Sequence, residues 1–164
     1  MAIEQALITW VHLVASAIWV GGSIFLGVIL SPIVRQVTPS MEERLRLMIL
    51  VGKRFNKIAI PSLIILVVTG VYNSRVLLVN YTLLDDSSYG VFLVVKMILV
   101  VVLVVVYLTH VRIIRQDVVD RIMSKSMGEP ELRRLRIKII VLGEVTVVLS
   151  VAILFFAALL DSGV

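Results

Sequence analysis

Four ionisable side chains in this 164-residue chain lie in or beside runs made almost wholly of Val, Leu and Ile: His12, Lys96, His110 and Glu144. An imidazole can ligate a metal or pass a proton, an ammonium can neutralise an anionic group, and a carboxylate can carry a proton. Placing such a group in hydrocarbon costs at least ~2.5 kcal/mol, so each needs a partner. His12 has no evident structural duty and is the first candidate ligand. Glu144 reads equally as a proton carrier or as the ion-pair partner of His110 or an arginine. His110 stands beside Arg112 and reads as a surface or interface residue ahead of a ligand. Lys96 and Arg75 each have a second reading as side chains that reach the headgroups or anchor the interface.

The elements that must hold these residues are membrane spans. The chain is 60% hydrophobic with a mean hydropathy of +1.08, well beyond the roughly half-apolar make-up of a soluble domain. Four stretches, 6–31, 58–79, 91–111 and 139–160, are long enough to cross a hydrocarbon core, which takes about 20 apolar residues. The expected fold is all-α, an integral membrane four-helix transmembrane bundle, one domain over 1–164. The first stretch is expected to stay as a span, because its leader carries Glu4 and no basic residue and its apolar run is too long for a signal peptide.

Fourteen of the sixteen Lys and Arg fall in the loops 32–57 and 112–138 and their edges. The positive-inside rule puts those loops in the cytoplasm and both termini outside. Topology therefore accounts for the net charge of +5, and no nucleic-acid partner is needed. With no cysteine, thiolate metal sites and a Cys nucleophile are excluded, and no phosphate loop, dinucleotide fingerprint or zincin helix is present. Ser40 with Glu43 forms a capping box that predicts a helix over 41–56, lying on the surface or leading into the second span. Gly128-Glu129-Pro130 breaks the second basic loop.

Counting 1.5 Å per residue places His12 and Lys96 at one level, roughly 9 Å below the outer surface. His110 and Glu144 form a second level near the inner surface, and the two histidines are separated by roughly 20 Å along the membrane normal. Residues seven and eleven apart share a helix face, so His12, Trp19 and Ser23 should form an inward stripe beside Gly21-Gly22. Ser62, Thr69 and Asn73 form the matching stripe of the second span, and Lys96, Leu103 and His110 that of the third.

In this order the residues resemble the CopD family of copper-resistance membrane proteins and, more remotely, the HemJ-type protoporphyrinogen oxidases. The resemblance is carried by His12-Leu13, Trp19-Val20-Gly21-Gly22, Ser31-Pro32, Arg54-Phe55, Thr69-Gly70-Val71-Tyr72-Asn73, Tyr89-Gly90, Lys96 and Glu144. The WxGG and TG elements favour CopD, whereas a span-one histidine paired with a span-three lysine is the HemJ pattern.

Three readings follow. In the first, a b-type haem sits in the outer half of the bundle, with His12 as axial ligand, Trp19 and Asn73 lining the site, Lys96 or Arg75 meeting the propionates, and Lys96 and Glu144 as catalytic groups. Its partners would be a quinone or a porphyrin, making the chain a membrane oxidoreductase. In the second, implied by the CopD resemblance, the chain serves copper uptake or homeostasis. In the third it is a cofactor-free subunit of a homo-oligomer or larger membrane complex. All three place it, multi-pass, in a prokaryotic plasma membrane with lipid as its first partner.

Overall fold

A computed structural model describes residues 2–79, 88–114, 116–124 and 126–162, with the backbone alone at 2, 75–79, 88, 116 and 123. The stretch 80–87, with Asp85 and Asp86, and the side chain of Arg75 lie outside the described residues.

Four helices are long and apolar enough to cross a membrane: Ile3–Val37, Met41–Ser74, Tyr89–Ile113 and Glu129–Asp161. The chain is a multi-pass membrane protein whose apolar helices suit a lipid bilayer. The first span is not uniform. It runs as α1 (Ala2–Ser16), α2 (Gly22–Ile24) and α3 (Ser31–Val37), joined by π-helical turns at Ala17–Gly21 and Phe25–Leu30. The others are α4 (Met41–Val79), α5 (Ser88–Ile113) and α7 (Glu129–Asp161), with a short amphipathic α6 (Gln116–Met123) between α5 and α7.

Contacts show alternate spans running in opposite directions. Gln5 meets Asn73, His12 meets Thr69, and Gly22 meets Phe55, so the numbering falls in one helix as it rises in the other. The third and fourth spans pair likewise through Phe92 with Phe156 and His110 with Gly143.

At 1.5 Å per residue even the shortest span, 25 residues, is about 38 Å long, more than the ~30 Å of hydrocarbon. The 34- and 33-residue spans must project further. Their projection explains two separate cores. One, inside the bundle, is Trp19, Ala59, Leu63, Leu103 and Tyr107. The second lies at the end carrying the basic loops, where Leu45 and Ile49 of α4, Ile122 of α6, and Leu132, Leu135 and Ile139 of α7 pack together. The predicted 41–56 helix is thus the start of α4, continuous with the second span. Ser40 Oγ caps it by accepting the Glu43 backbone N–H at 3.1 Å. Gly128 is the N-cap of α7, with proline in the first turn, where a missing N–H costs nothing.

Inside the bundle, hydroxyls are satisfied along their own helices: Ser62 donates to the Ile58 carbonyl, Thr146 to Leu142 and Ser150 to Thr146, each at 2.8 Å. No buried side-chain nitrogen or oxygen among the described residues lacks a partner. That is what lipid demands, because it offers no water to compensate.

Candidate functional site

Trp19 is the keystone between the two histidine levels. The π turn Ala17–Gly21 carries it, and its ring is 2% exposed. Its indole N–H donates to Ser150 Oγ at 3.0 Å. Its ring meets that of Tyr107 in a T-shaped contact, with centroids 4.7 Å apart at 76°. Tyr107 in turn donates its hydroxyl to Asn56 Oδ1 at 2.9 Å. One residue from each span is therefore locked into a single chain: Trp19, Asn56, Tyr107 and Ser150. The sequence suggested Trp19 as a cofactor contact; in the structure its ring packs on Tyr107 and its N–H bonds to Ser150.

On the side of the termini, His12 Nδ1 lies 2.6 Å from Thr69 Oγ1, and Thr69 Oγ1 lies 2.6 Å from the Ile65 carbonyl. The hydroxyl has one hydrogen, and a carbonyl can only accept. With that hydrogen on Ile65, Thr69 accepts from His12 Nδ1–H, and the lone pair of the ring falls on Nε2. His12 Cε1 packs 3.7 Å from where a Cβ on Gly70 would stand. One turn towards the terminus, Gln5 Nε2 donates to Asn73 Oδ1 at 3.0 Å. Lys96 is half-buried in the third span and stands near His12. The structure thus brings His12 and Thr69 to one level with Lys96 nearby, and sets Asn73 nearer the terminus on the same side of α4.

On the basic side of Trp19 and Tyr107 lies a cavity of about 150 Å³. Its polar lining includes His110, Glu144, Tyr107 and Asn56, and Met48 contributes a thioether. His110 is half-buried and its Cε1 rests 3.7 Å from where a Cβ on Gly143 would stand. Glu144 follows in the same turn. The sequence placed His110 at the surface or interface; the helix that buries Tyr107 brings His110, three residues on, to the same side and onto the cavity wall. Met48 lies in the 41–56 segment between the first two apolar stretches, and continuous α4 carries it to the cavity wall.

Residues 49–160, more than half of the chain, match the family described as copper resistance protein D. The chain belongs to that family. The match spans the cavity's His110, Tyr107 and Glu144 and the Thr69–Asn73 segment, and leaves His12 and Met48 just outside it. No curated protein and no solved structure matches the chain. Membership links this membrane protein to copper resistance.

The donor set can be compared with the groups the sequence suggested. A haem ligated by His12 needs the imidazole to face an open volume. Here the ring lies against the second span, bonded to Thr69 and packed on Gly70, while the cavity lies beyond Trp19 at the other level. Nothing among the described residues supports a haem at His12, and the Trp19 and Asn73 groups assigned to it bond to Ser150 and Gln5. Among the described residues no group of three His, Cys, Asp or Glu could hold a metal. A copper ion held here would therefore draw on sulfur as well. Cu(I) accepts thioether and imidazole donors, which Met48 and His110 supply.

Proposed function

We propose that this CopD-family chain handles copper in a prokaryotic plasma membrane, as one four-span unit with its basic loops in the cytoplasm and its termini outside. Copper is its cargo, taken as Cu(I) in the cavity on the cytoplasmic side of the Trp19–Tyr107 contact. The observation that carries the reading is the placement of His110 and Met48 on the wall of one cavity within a protein of this family.

The chemistry of each residue follows from its place. The His110 imidazole and Met48 thioether are soft enough for Cu(I), and Glu144 offsets its positive charge. Tyr107 and Asn56 hold one another at 2.9 Å and give the cavity a fixed polar wall towards the core. His12 keeps a free Nε2, but the neighbouring Lys96 ammonium opposes a cation there, so the cargo site is assigned to the cavity rather than to His12. The quinone, the porphyrin and the catalytic roles of Lys96 and Glu144 belonged to the haem reading and have no part in this one.

The test is a Cu(I) titration of the protein in lipid nanodiscs against a chromophoric chelator. Met48→Leu and His110→Ala are each expected to weaken Cu(I) binding at the cavity at least tenfold, while Lys96→Met leaves it unchanged. Equal affinity in all four proteins would remove the cavity from the account.

A further inference from the structure

Among the described residues, the end of the molecule that carries the basic loops contains a second hole with no Lys or Arg in its lining. It has a volume of about 270 Å³ and lies where the N-terminal turns of α4 and α7 converge. Ile122 and Leu132 form its apolar floor, and Met41, Met127, Glu42 and Glu129 supply its donors. Among the described residues no Lys or Arg lines it, although fourteen of the chain's sixteen are in these two loops.

Each component has an ordinary role. Methionine fills gaps in a core, and both Met41 and Met127 pack on the Leu45, Ile122 and Leu132 cluster. Carboxylates are favoured in first helical turns, where Glu42 and Glu129 stand. Those roles explain the residue types but not their meeting around an open volume. A core-filling methionine closes space, whereas these two border it, and the carboxylates come from two different helices to the same rim. The core behind the thioethers fixes their positions, so a ligand need not order them on arrival.

We infer that this pocket is a second binding site for a soft monovalent metal cation, Cu(I) in the cell. Two thioethers provide the coordination, and two carboxylates neutralise the ion and favour a cation over the anions that the surrounding arginines attract. A hard divalent ion is a poorer match, since Ca²⁺ and Mg²⁺ take six or more oxygens. The inference rests on the copper reading above and extends it. Met41 and Met48 lie seven residues apart on α4, on one face and about 10 Å apart along the axis. Met48 borders the membrane cavity and Met41 the pocket. The pocket is thus the station at which copper passes between the cavity and the cytoplasm.

The experiment uses the full chain in nanodiscs, equilibrated with Ag(I), a redox-inert stand-in for Cu(I), and counts tightly bound metal by mass spectrometry. The wild type is expected to hold two equivalents. Met41→Leu with Met127→Leu, swaps that conserve volume, should hold one, and His110→Ala should hold the other one. Glu42→Gln with Glu129→Gln leaves the packing in place and is expected to keep both equivalents while weakening one about tenfold. If the double Met variant still holds two, or if the wild type holds one that only His110→Ala removes, the pocket is not a site and the cavity reading stands. If the wild type holds one that only the double Met variant removes, the pocket stands without the cavity. If the wild type holds none, both are overturned.

Discussion

The indole N–H of Trp19 donates to Ser150 Oγ at 3.0 Å across the bundle, joining the first span to the fourth. Ser150 passes its own hydrogen to the Thr146 carbonyl at 2.8 Å, so the pair is satisfied without water. The same ring packs against Tyr107, which carries the connection to Asn56. This core separates the His12 level from the cavity and gives the cavity one of its walls.

Ser150→Ala leaves the buried indole donor unpaired. Interhelical hydrogen bonds in bundles are worth about 0.6 kcal/mol on average, and orphaning a buried donor raises the cost to about 1–3 kcal/mol. Reversible unfolding in mixed micelles should show a loss in that range. Ser150→Thr, which keeps the hydroxyl, should lose less. Equal losses would mean that volume rather than the hydrogen bond is felt.

Two adjacent glycines should respond oppositely to the same change. A Cβ on Gly22 would stand 2.2 Å from Phe55 Cε2 and 2.5 Å from Cζ, whereas one on Gly21 meets nothing within 4 Å. Gly22→Ala is expected to destabilise by about 1–3 kcal/mol through overpacking, and Gly21→Ala to be neutral. Adding Phe55→Leu to Gly22→Ala should recover part of the loss. Failure of that rescue in thermal melts would show that the ring is not the obstacle.

With only two histidines in the chain, nitrogen-15 NMR can test the His12 assignment. His12 should resonate as the tautomer protonated on Nδ1, with Nε2 as the lone-pair nitrogen. Thr69→Val keeps the shape but removes the acceptor, and the preference should disappear. An unchanged His12 signal in Thr69→Val would place the proton elsewhere.

The bidentate contact of Arg121 with Glu131, at 2.7 and 3.0 Å, looks strong but is half-exposed on both sides. Solvent screening leaves such a pair worth about 0–1 kcal/mol. Glu131→Gln should shift the melting midpoint little. A large shift would mean that α6 and α7 are held by charge rather than by Ile122 and Leu132.

The four spans were legible in the sequence because lipid imposes long apolar runs and leaves little freedom. The His12 level was legible too, since Thr69 and Asn73 share a face at ordinary helical spacing. The inner cavity was not, for two local reasons. A 3.6-residue period cannot anticipate the π turns at Ala17–Gly21 and Phe25–Leu30, which alter the facing of everything after Trp19. The sequence also left open whether the 41–56 helix lies on the surface or leads into the second span, and only the unbroken α4 places Met48 at the cavity. His110 was discounted for its neighbour Arg112, although its spacing from Tyr107 held the necessary signal.

The central claim is that the cavity holds copper through His110 and Met48. Copper K-edge absorption of the Met41→Leu, Met127→Leu protein loaded with one equivalent of Cu(I) tests it most directly. The account predicts both imidazole nitrogen and sulfur around the metal, with the sulfur lost in added Met48→Leu and the imidazole lost in added His110→Ala. A spectrum showing only oxygen neighbours, or one that neither substitution changes, would contradict it.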